Sequence, residues 1–180
     1  KQYRLYKVGH TSGSYEGKDF NADEQPAVSV SWEDAQAYCK WAGKRLPTEA
    51  QWERAASGKE YANFGFGDRQ SELGDYSWFS DNSGGQTQPV GRKKPNRFGL
   101  FDMSGNVLEW VSDWYGESYD GKSPRRNPQG PSSGTDRVLR GCSWSGSASK
   151  CRVAARDWFF PAGRNKYNGL RCAAPASQGR

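Results

Sequence analysis

RVLRGCSWSGSASKCRVAARDWFFPAGRNKYNGLRC, residues 137–172, decides how this chain is interpreted. Two strand-like blocks, RVLRGCSW and KCRVAAR, enclose a Ser-Gly-Ser segment, and a loop rich in glycine, asparagine and aromatic residues follows. Within a dozen residues that loop combines large rings, such as Trp158 and Tyr167, with hydrogen-bonding side chains. A single ring is more often part of a core, but a cluster of rings with polar neighbours favours a binding surface, because rings supply contact area at low entropic cost.

Composition favours one α+β, loop-rich domain over residues 1–180. The 180 residues are enough to bury a real core. Hydrophobic residues make up only 34% of the chain whereas aromatic residues make up 14%, so the core must depend on rings. The 22 glycines and nine prolines indicate much irregular structure held by a few regular elements. Because the chain opens abruptly on a charged segment, we expect an N-terminal part to be missing.

Charge and residue types exclude several classes of function. The formal net charge of +6 is mild and its basic runs are short and flanked by prolines, so no nucleic-acid partner is expected. No stretch approaches the length of a membrane span, and no signal peptide is recognisable. The single histidine, His10, lies in a Gly/Ser-rich segment, which disfavours both a Cys/His zinc site and a histidine-activated nucleophile.

Two helices are predicted from their capping residues. Ser31 is followed three residues later by Asp34, and Thr48 by Gln51; each pair can form a capping box, and a glycine follows each helix. The predicted buried faces consist of Trp32, Ala35, Cys39 and Ala42 in the first helix and of Trp52, Ala55 and Ala56 in the second. Helices this short need a sheet to pack against.

Three ordered blocks carry a family resemblance. They are PAVSVSWEDAQAYCKWAGKRLPTEAQWERAASG (residues 26–58), PVGRKKPNRFGLFDMSGNVLEWVSDWY (residues 89–115) and RVLRGCSW…CRVAAR…NGLRC (within residues 137–172). Together they resemble the formylglycine-generating enzyme (sulfatase-modifying factor) family. The resemblance implies a C-type lectin-like fold, with a small twisted antiparallel sheet, two flanking helices and extensive loops.

The family's enzymes use two closely spaced cysteines that hold copper as thiolates. The corresponding window here, residues 145–150, reads SGSASK and contains no cysteine. Soft thiolates suit Cu(I), so we expect no copper and a chain that is not an enzyme. Cys142 and Cys151 bracket the window at another spacing. A disulfide, two free core thiols and an altered copper pair remain open for them.

The resemblance also implies a disulfide between Cys39 and Cys172, which match cysteines that are bridged in some family members. Such a bridge would join the first helix to the last strand and close a long loop. It would require an oxidising compartment, so we expect an extracytoplasmic or cell-surface location.

Residues 137–172 also resemble the variable proteins of diversity-generating retroelements, which are built on the same fold. In those proteins an error-prone copy of a template rewrites adenine-containing codons, so that a fixed scaffold displays variable side chains. The resemblance assigns scaffold roles to Arg140, Gly141, Trp144, Arg152, Arg156, Pro161 and Gly169. It assigns ligand binding to Ser145, Gly146, Ser147, Ser149, Lys150, Asp157, Trp158, Phe159, Phe160, Gly163, Asn165, Lys166, Tyr167 and Asn168.

The segment FDMSGNVLEW suggests a structural Ca²⁺ site. Family members hold Ca²⁺ here, and the matching ligands would be the carboxylates of Asp102 and Glu109 and the carbonyls of Gly105 and Val107. Two acids beside a glycine turn would leave uncompensated charge that a cation relieves. In the alternative interpretation Asp102 caps the turn and Glu109 pairs with an arginine.

The function predicted from these observations is ligand binding by a non-catalytic protein with a variable surface. A flat aromatic and polar patch suits a protein or glycan on a surface or host better than a small metabolite. The alternatives are a copper oxidoreductase of the formylglycine-generating type and a lectin that binds sugar through calcium.

Overall fold

The computed structural model describes residues 1–57, 62–117 and 128–174. The helices are α1 (Gln2–Tyr6), α2 (Trp32–Trp41), α3 (Glu49–Ala56) and α4 (Leu73–Tyr76). The strands are β1 (Ser14–Tyr15), β2 (Lys18–Asp19), β3 (Leu108–Trp114), β4 (Arg137–Arg140), β5 (Arg156–Phe159) and β6 (Asn168–Leu170). The predicted α+β, loop-rich class is confirmed. In the ranges described, no helix has the length and apolar character needed to cross a membrane.

The two main helices begin where their capping residues predict. Ser31 Oγ accepts from the Asp34 amide at 3.2 Å, and the Asp34 carboxylate accepts from the Ser31 amide at 3.1 Å. Thr48 and Gln51 make the same reciprocal pair at 3.2 and 3.1 Å. Each box satisfies amides that the first turn of a helix leaves without partners, so both helix starts are fixed by residues three positions apart.

The main sheet has the strand order β5-β4-β3-β6. The pairs β3–β4 and β4–β5 are antiparallel, whereas β6 runs parallel to β3, with Leu108 opposite Asn168. The expected antiparallel sheet is therefore mixed. The chain leaves β5 at one edge and returns through residues 160–167 to the other edge in the direction of β3, which a hairpin could not do.

Helices α2 and α3 cover opposite faces of this sheet. Trp110 and Leu139 pack with the buried side of α2, whereas their neighbours Val111 and Val138 pack with Trp52 of α3. This division follows from the two-residue period of a strand, in which successive side chains point to opposite faces.

A buried ion-pair network joins α3 to the sheet. The fully buried Arg140 lies 3.4 Å from Glu49, contacts Glu53, and donates to the carbonyl of Val153 at 2.9 Å. Arg156 binds both Glu49 oxygens, at 2.6 and 2.9 Å. Because buried charges are tolerated only when they are paired and hydrogen-bonded, this network fixes how α3 lies against β4 and β5.

Both pairs of cysteines form disulfides. Cys39 and Cys172, whose Cα atoms lie 5.5 Å apart, join the end of α2 to the segment after β6, which is the pair that the resemblance implies. Cys142 and Cys151, with Cα atoms 4.7 Å apart, close the loop between β4 and β5. Of the three states left open for the second pair, the structure contains the disulfide.

Candidate functional site

Two consecutive residues of the edge strand β5 carry rings in different environments: one is exposed and the other packs against the core. Trp158 is 48% exposed, and its ring stacks on Tyr115 with centroids 4.4 Å apart. The next residue, Phe159, packs against the α2 side of the core, 6.5 Å from Trp110. The guanidinium group of Arg156 also lies over the Tyr115 ring, with its central carbon 4.9 Å from the ring centroid. The exposed ring of Trp158 is thus held by stacking on Tyr115, which Arg156 contacts in turn.

A second group of candidate residues meets at Trp144. The buried Trp144 ring donates through Nε1 to the Lys166 carbonyl at 3.0 Å, and Tyr167 lies 5.2 Å from it. The Lys166 ammonium contacts the face of Tyr15. Ser145, the residue after Trp144, is exposed. Trp144 therefore connects the start of the 145–150 loop to the 165–167 segment.

The 145–150 loop is exposed and held at both ends. Ser145, Ser147, Ser149 and Lys150 are exposed. The Cys142–Cys151 disulfide closes the loop, and the Gly146 carbonyl accepts from the Ser80 amide at 3.0 Å. Exposed side chains on an anchored backbone can be exchanged with little effect on the core.

Three of the predicted ligand contacts are buried or packed against the core. Asn168 is only 1% exposed, because it lies in β6 opposite Leu108. Gly163 is buried, and a side chain there would collide with the ring of Phe159. Phe159 itself is half-buried and packs against the core. Their burial depends on the path of the chain from β5 to β6, which no local sequence pattern reveals.

The remaining predicted contacts differ in how exposed their side chains are and in whether those side chains hydrogen-bond to the backbone. Phe160 is 53% exposed. Asp157 is half-buried and accepts from the Trp158 amide at 2.8 Å. Asn165 shapes the loop, since its side-chain oxygen accepts from the amides of Tyr167 and Asn168, each at 2.9 Å. Asn165 is half-buried, and its side chain stabilises the conformation of the loop.

Sequence reasoning missed two residues of this surface. Tyr115 supports Trp158, and Tyr15 lies under Lys166. Tyr115 directly follows β3, so its place beside the sheet edge could have been suspected from the strand pattern. Nothing in the sequence links Tyr15 to Lys166, because the two are far apart along the chain.

The four candidate calcium ligands line one cavity of about 420 Å³, but their charges are partly compensated. Both oxygens of the buried Glu109 carboxylate bind Arg171 at 2.9 Å, and Oε2 also accepts from Trp52 Nε1 at 2.7 Å. The uncompensated pair of acids assumed from the sequence is therefore wrong for Glu109. The described residues contain no group of three or more His, Cys, Asp or Glu side chains that could hold a metal.

Asp102 is the acid of this cavity that lacks a cationic side chain bound to it. Its Oδ2 accepts from the Gly91 amide at 2.7 Å, and its backbone has a φ of +55°. Burial raises the pKa of Asp102, an effect that the Gly91 hydrogen bond opposes. The interpretation in which Asp102 caps a turn thus accounts for its hydrogen bond.

Curated relatives of this chain are enzymes by name. It is 42% identical to the formylglycine-generating enzyme of Streptomyces coelicolor over 84% of this chain and 53% of the relative. It is 39% identical to the formylglycine-generating enzyme of Mus musculus over 88% of this chain and 47% of the relative. The chain spans about half the length of these relatives. They contradict the prediction that the chain is not an enzyme, which rested on the cysteine-free 145–150 window alone.

Solved structures show the same fold. Treponema denticola variable protein 1 superposes with a TM-score of 0.81 at 30% identity, covering 93% of this chain and 78% of that one. The Major Tropism Determinant M1 variant, at a TM-score of 0.51 and 19% identity over 85% of this chain and 40% of that one, supports the fold alone. Both resemblances drawn from the sequence are thereby confirmed.

The family itself is defined over nearly the whole chain. The model for the sulfatase-modifying factor enzyme 1-like domain matches residues 6–176. That range contains all three sequence blocks, both disulfides and every strand of the main sheet. This chain therefore belongs to the sulfatase-modifying factor enzyme 1-like family.

Proposed function

We propose that this chain binds a ligand through the surface formed by Trp158 and Phe160 together with the exposed side chains of the 145–150 loop. The observation that carries the proposal is the contrast between two neighbouring rings of β5. Trp158 is 48% exposed and stacks on Tyr115, whereas Phe159 packs against the core and fixes the strand there. A rigid support beneath an exposed ring lowers the entropy lost on binding.

The chemistry of this surface favours a protein or glycan ligand. Trp158 and Phe160 are open to solvent, and the exposed 145–150 loop carries serine hydroxyls and the Lys150 ammonium. Such a surface suits extended contact with a macromolecule more than enclosure of a small molecule. Two disulfides support an extracytoplasmic or cell-surface location for this activity, because they persist in oxidising compartments.

We propose further that these positions are diversified, as in the variable proteins that the chain resembles. The likeness to Treponema denticola variable protein 1 and the anchoring of the exposed loop support this. Sequencing the DNA beside the gene tests it. A template repeat that differs from the gene only at adenines is expected, and a locus without such a repeat would exclude diversification.

Binding is tested with two libraries displayed on yeast. The first randomises the exposed positions Ser145, Ser147, Ser149, Lys150, Trp158 and Phe160. The second randomises the half-buried position Phe159 and the buried positions Gly163 and Asn168. The first library should be displayed within about twofold of the parent chain and yield binders to lysozyme as a fixed target. The second should lose display, because its positions support the fold. Equal loss in both libraries would contradict the proposal.

The names of the curated relatives favour a second candidate function, oxidoreductase activity of the formylglycine-generating type. That chemistry uses two thiolates to hold copper. The cysteines of this chain do not fit such a site in their present state, since all four are joined in disulfides. The candidate therefore requires reduction of Cys142–Cys151. Stoichiometric Cu(I) binding by the reduced protein, abolished by Cys142→Ser, would support it; no binding would exclude it.

We also propose a structural Ca²⁺ ion at Asp102, Gly105, Val107 and Glu109. All four residues line one cavity, and Asp102 keeps one carboxylate oxygen without a protein donor among the residues described. The ion would have to share the Glu109 carboxylate with Arg171. Oxygen ligands of mixed carboxylate and carbonyl type are those that Ca²⁺ prefers.

A further inference from the structure

A second cleft lies away from the proposed ligand surface. It has a volume of about 860 Å³ and is formed by α2, the segment that follows it, the start of α3 and β3. Its lining consists of Gln36, Ala37, Lys40, Lys44, Arg45, Leu46, Thr48, Gln51, Ser112 and Gln129. None of these residues belongs to the 145–168 segment, so this cleft and the surface around Trp158 are separate.

Three cations converge on this cleft without a carboxylate among its described lining residues. They are Lys40, Lys44 and Arg45. Within the described parts of the chain, neither lysine has an ion-pair partner. Lys40 is on the last turn of α2, and Lys44 follows the turn at Gly43. Their positive charges are therefore available to a ligand.

Arg45 is held in place by contacts on two sides. Its backbone exchanges hydrogen bonds with Ala173 at 3.0 and 2.7 Å, beside the Cys39–Cys172 disulfide. Its Nη1 donates to the Gln51 side-chain oxygen at 2.7 Å and to the Leu46 carbonyl at 3.1 Å. Among the described residues only Nη1 of Arg45 has hydrogen-bond partners, which leaves Nη2 and Nε able to donate. A guanidinium fixed in this way has lost part of its conformational freedom before a ligand arrives.

Gln51 links this cleft to the helix beneath it. Its side-chain oxygen accepts from the Thr48 amide at 3.1 Å as part of the capping box, as well as from Arg45. That orientation leaves the amide NH₂ of Gln51 free to donate. Arg54, one turn further along α3, extends the cationic character into the adjoining cleft that Gln51 also lines.

Asp113 and Glu49, which neighbour the lining residues Ser112 and Thr48, are buried and hydrogen-bonded within the fold. Asp113, next to Ser112, is buried and accepts from the Glu49 amide at 2.9 Å. Glu49 binds Arg156, as described above. Glu33 is exposed one turn before Ala37 on α2, and its charge acts on Arg137, which donates to the Ser112 carbonyl at 2.7 Å. The cleft itself keeps its excess of positive charge.

We propose that this cleft binds an oxyanionic ligand that carries phosphate or sulfate groups. An arginine with free nitrogens binds such groups through directed, charge-assisted hydrogen bonds, and lysines add mobile point charges. The cleft volume is within the range of clefts that hold small-molecule ligands. The proposal is independent of the proposed function of the β5 surface, because the two sites share no residue.

The test is calorimetry with two probes, inorganic pyrophosphate and a heparin-derived disaccharide, at 20 and 200 mM salt. The purified wild-type chain should bind at least one probe, more weakly at the higher salt. Binding of pyrophosphate alone identifies a phosphate ligand, and binding of the disaccharide alone identifies a sulfated sugar. Absence of binding for both probes at 20 mM salt would overturn the proposal.

A pair of double variants shows whether binding occurs in the cleft. Lys40→Gln with Lys44→Gln should weaken binding at least about tenfold, the equivalent of one charge-assisted hydrogen bond. The control, Arg92→Gln with Arg97→Gln, removes the same charge from exposed residues outside the cleft lining and should change binding less than about twofold. Both variants should melt like the wild type, since all four side chains are exposed. Equal weakening by both variants would show only non-specific attraction and would contradict the site.

Discussion

Trp158 and Phe159 are consecutive residues of β5 whose rings lie on opposite faces of the sheet. Trp158 is opposite Val138, on the α3 side, where its ring stacks on Tyr115. Phe159 contacts the core on the α2 side. One peptide bond therefore separates a residue that is free to contact a ligand from one that the fold requires.

The first prediction compares the two rings. Phe159→Ala should lower the free energy of unfolding by about 3 kcal/mol, because it removes a packed ring from the core. Trp158→Ala should lower it by less than about 1 kcal/mol, since the ring is half exposed and loses only its stacking on Tyr115. Urea unfolding measures both values. Equal losses would mean that Trp158 is a core residue.

The second prediction concerns the Glu109–Arg171 pair. Glu109→Gln should destabilise the chain by about 3 kcal/mol, because it weakens a two-bond ion pair and leaves Arg171 without its counter-charge. The matched control is Glu24→Gln, which breaks the exposed Arg92–Glu24 pair at 2.8 Å and should change stability by less than about 1 kcal/mol. A loss at Glu109 no larger than the control would show that the pair contributes nothing beyond a surface contact.

The third prediction is a pH dependence at Asp34. Burial would raise the pKa of Asp34, but hydrogen bonds from Arg164 and Lys7 outweigh burial and hold the pKa well below its usual value. A carboxylate with a depressed folded-state pKa stabilises the fold above its unfolded pKa of about 3.9, and this stabilisation is lost as the pH falls. Asp34→Asn should therefore be less stable than wild type by about 1 kcal/mol at pH 7.

The difference between Asp34→Asn and wild type should shrink as the pH falls below about 4, because Asp34 of the unfolded wild type then takes up a proton while the folded form, with its depressed pKa, stays ionised, which favours unfolding of the wild type alone. Melting temperatures measured from pH 2 to 7 give the comparison. A difference that stays constant over this range would indicate that the lost stability comes from the capping bond to Ser31 and not from the ion pairs.

The fourth prediction separates the two disulfides by the length of loop they close. Cys39 and Cys172 are 133 residues apart, whereas Cys142 and Cys151 are nine apart. The entropy of loop closure predicts a loss of about 5 kcal/mol for the Cys39→Ala, Cys172→Ala double variant and about 2.5 kcal/mol for the Cys142→Ala, Cys151→Ala variant. Denaturant unfolding under identical conditions tests the order. The reverse order would mean that the short bridge has a packing role that loop entropy does not describe.

The fifth prediction tests the calcium proposal. After chelation, added Ca²⁺ should raise the melting temperature of the wild type by a few degrees, as expected for a ligand that binds only the folded state. Asp102→Asn should remove this gain, because Asp102 is the acid of the site that has no arginine bound to it. No heat in calorimetry and no gain in melting temperature would remove the proposal.

The sequence by itself determined the starts of α2 and α3 and the family fold. Ser31 and Asp34, and likewise Thr48 and Gln51, are three residues apart, so their reciprocal bonds follow from local chain geometry. The three long blocks likewise identify the fold, because they keep their order and content along the chain.

Only the tertiary structure decided which candidate residues can reach a ligand. Arg171 neutralises Glu109 from 62 positions away, and the crossover from β5 to β6 buries Asn168 beside β3. Arg45 is bridged through its backbone to Ala173 beside a disulfide, and Ser112 of β3 lines the same cleft as Arg45. Such contacts depend on how distant segments pack in three dimensions, and a pattern read over a few neighbouring residues contains no information about that packing.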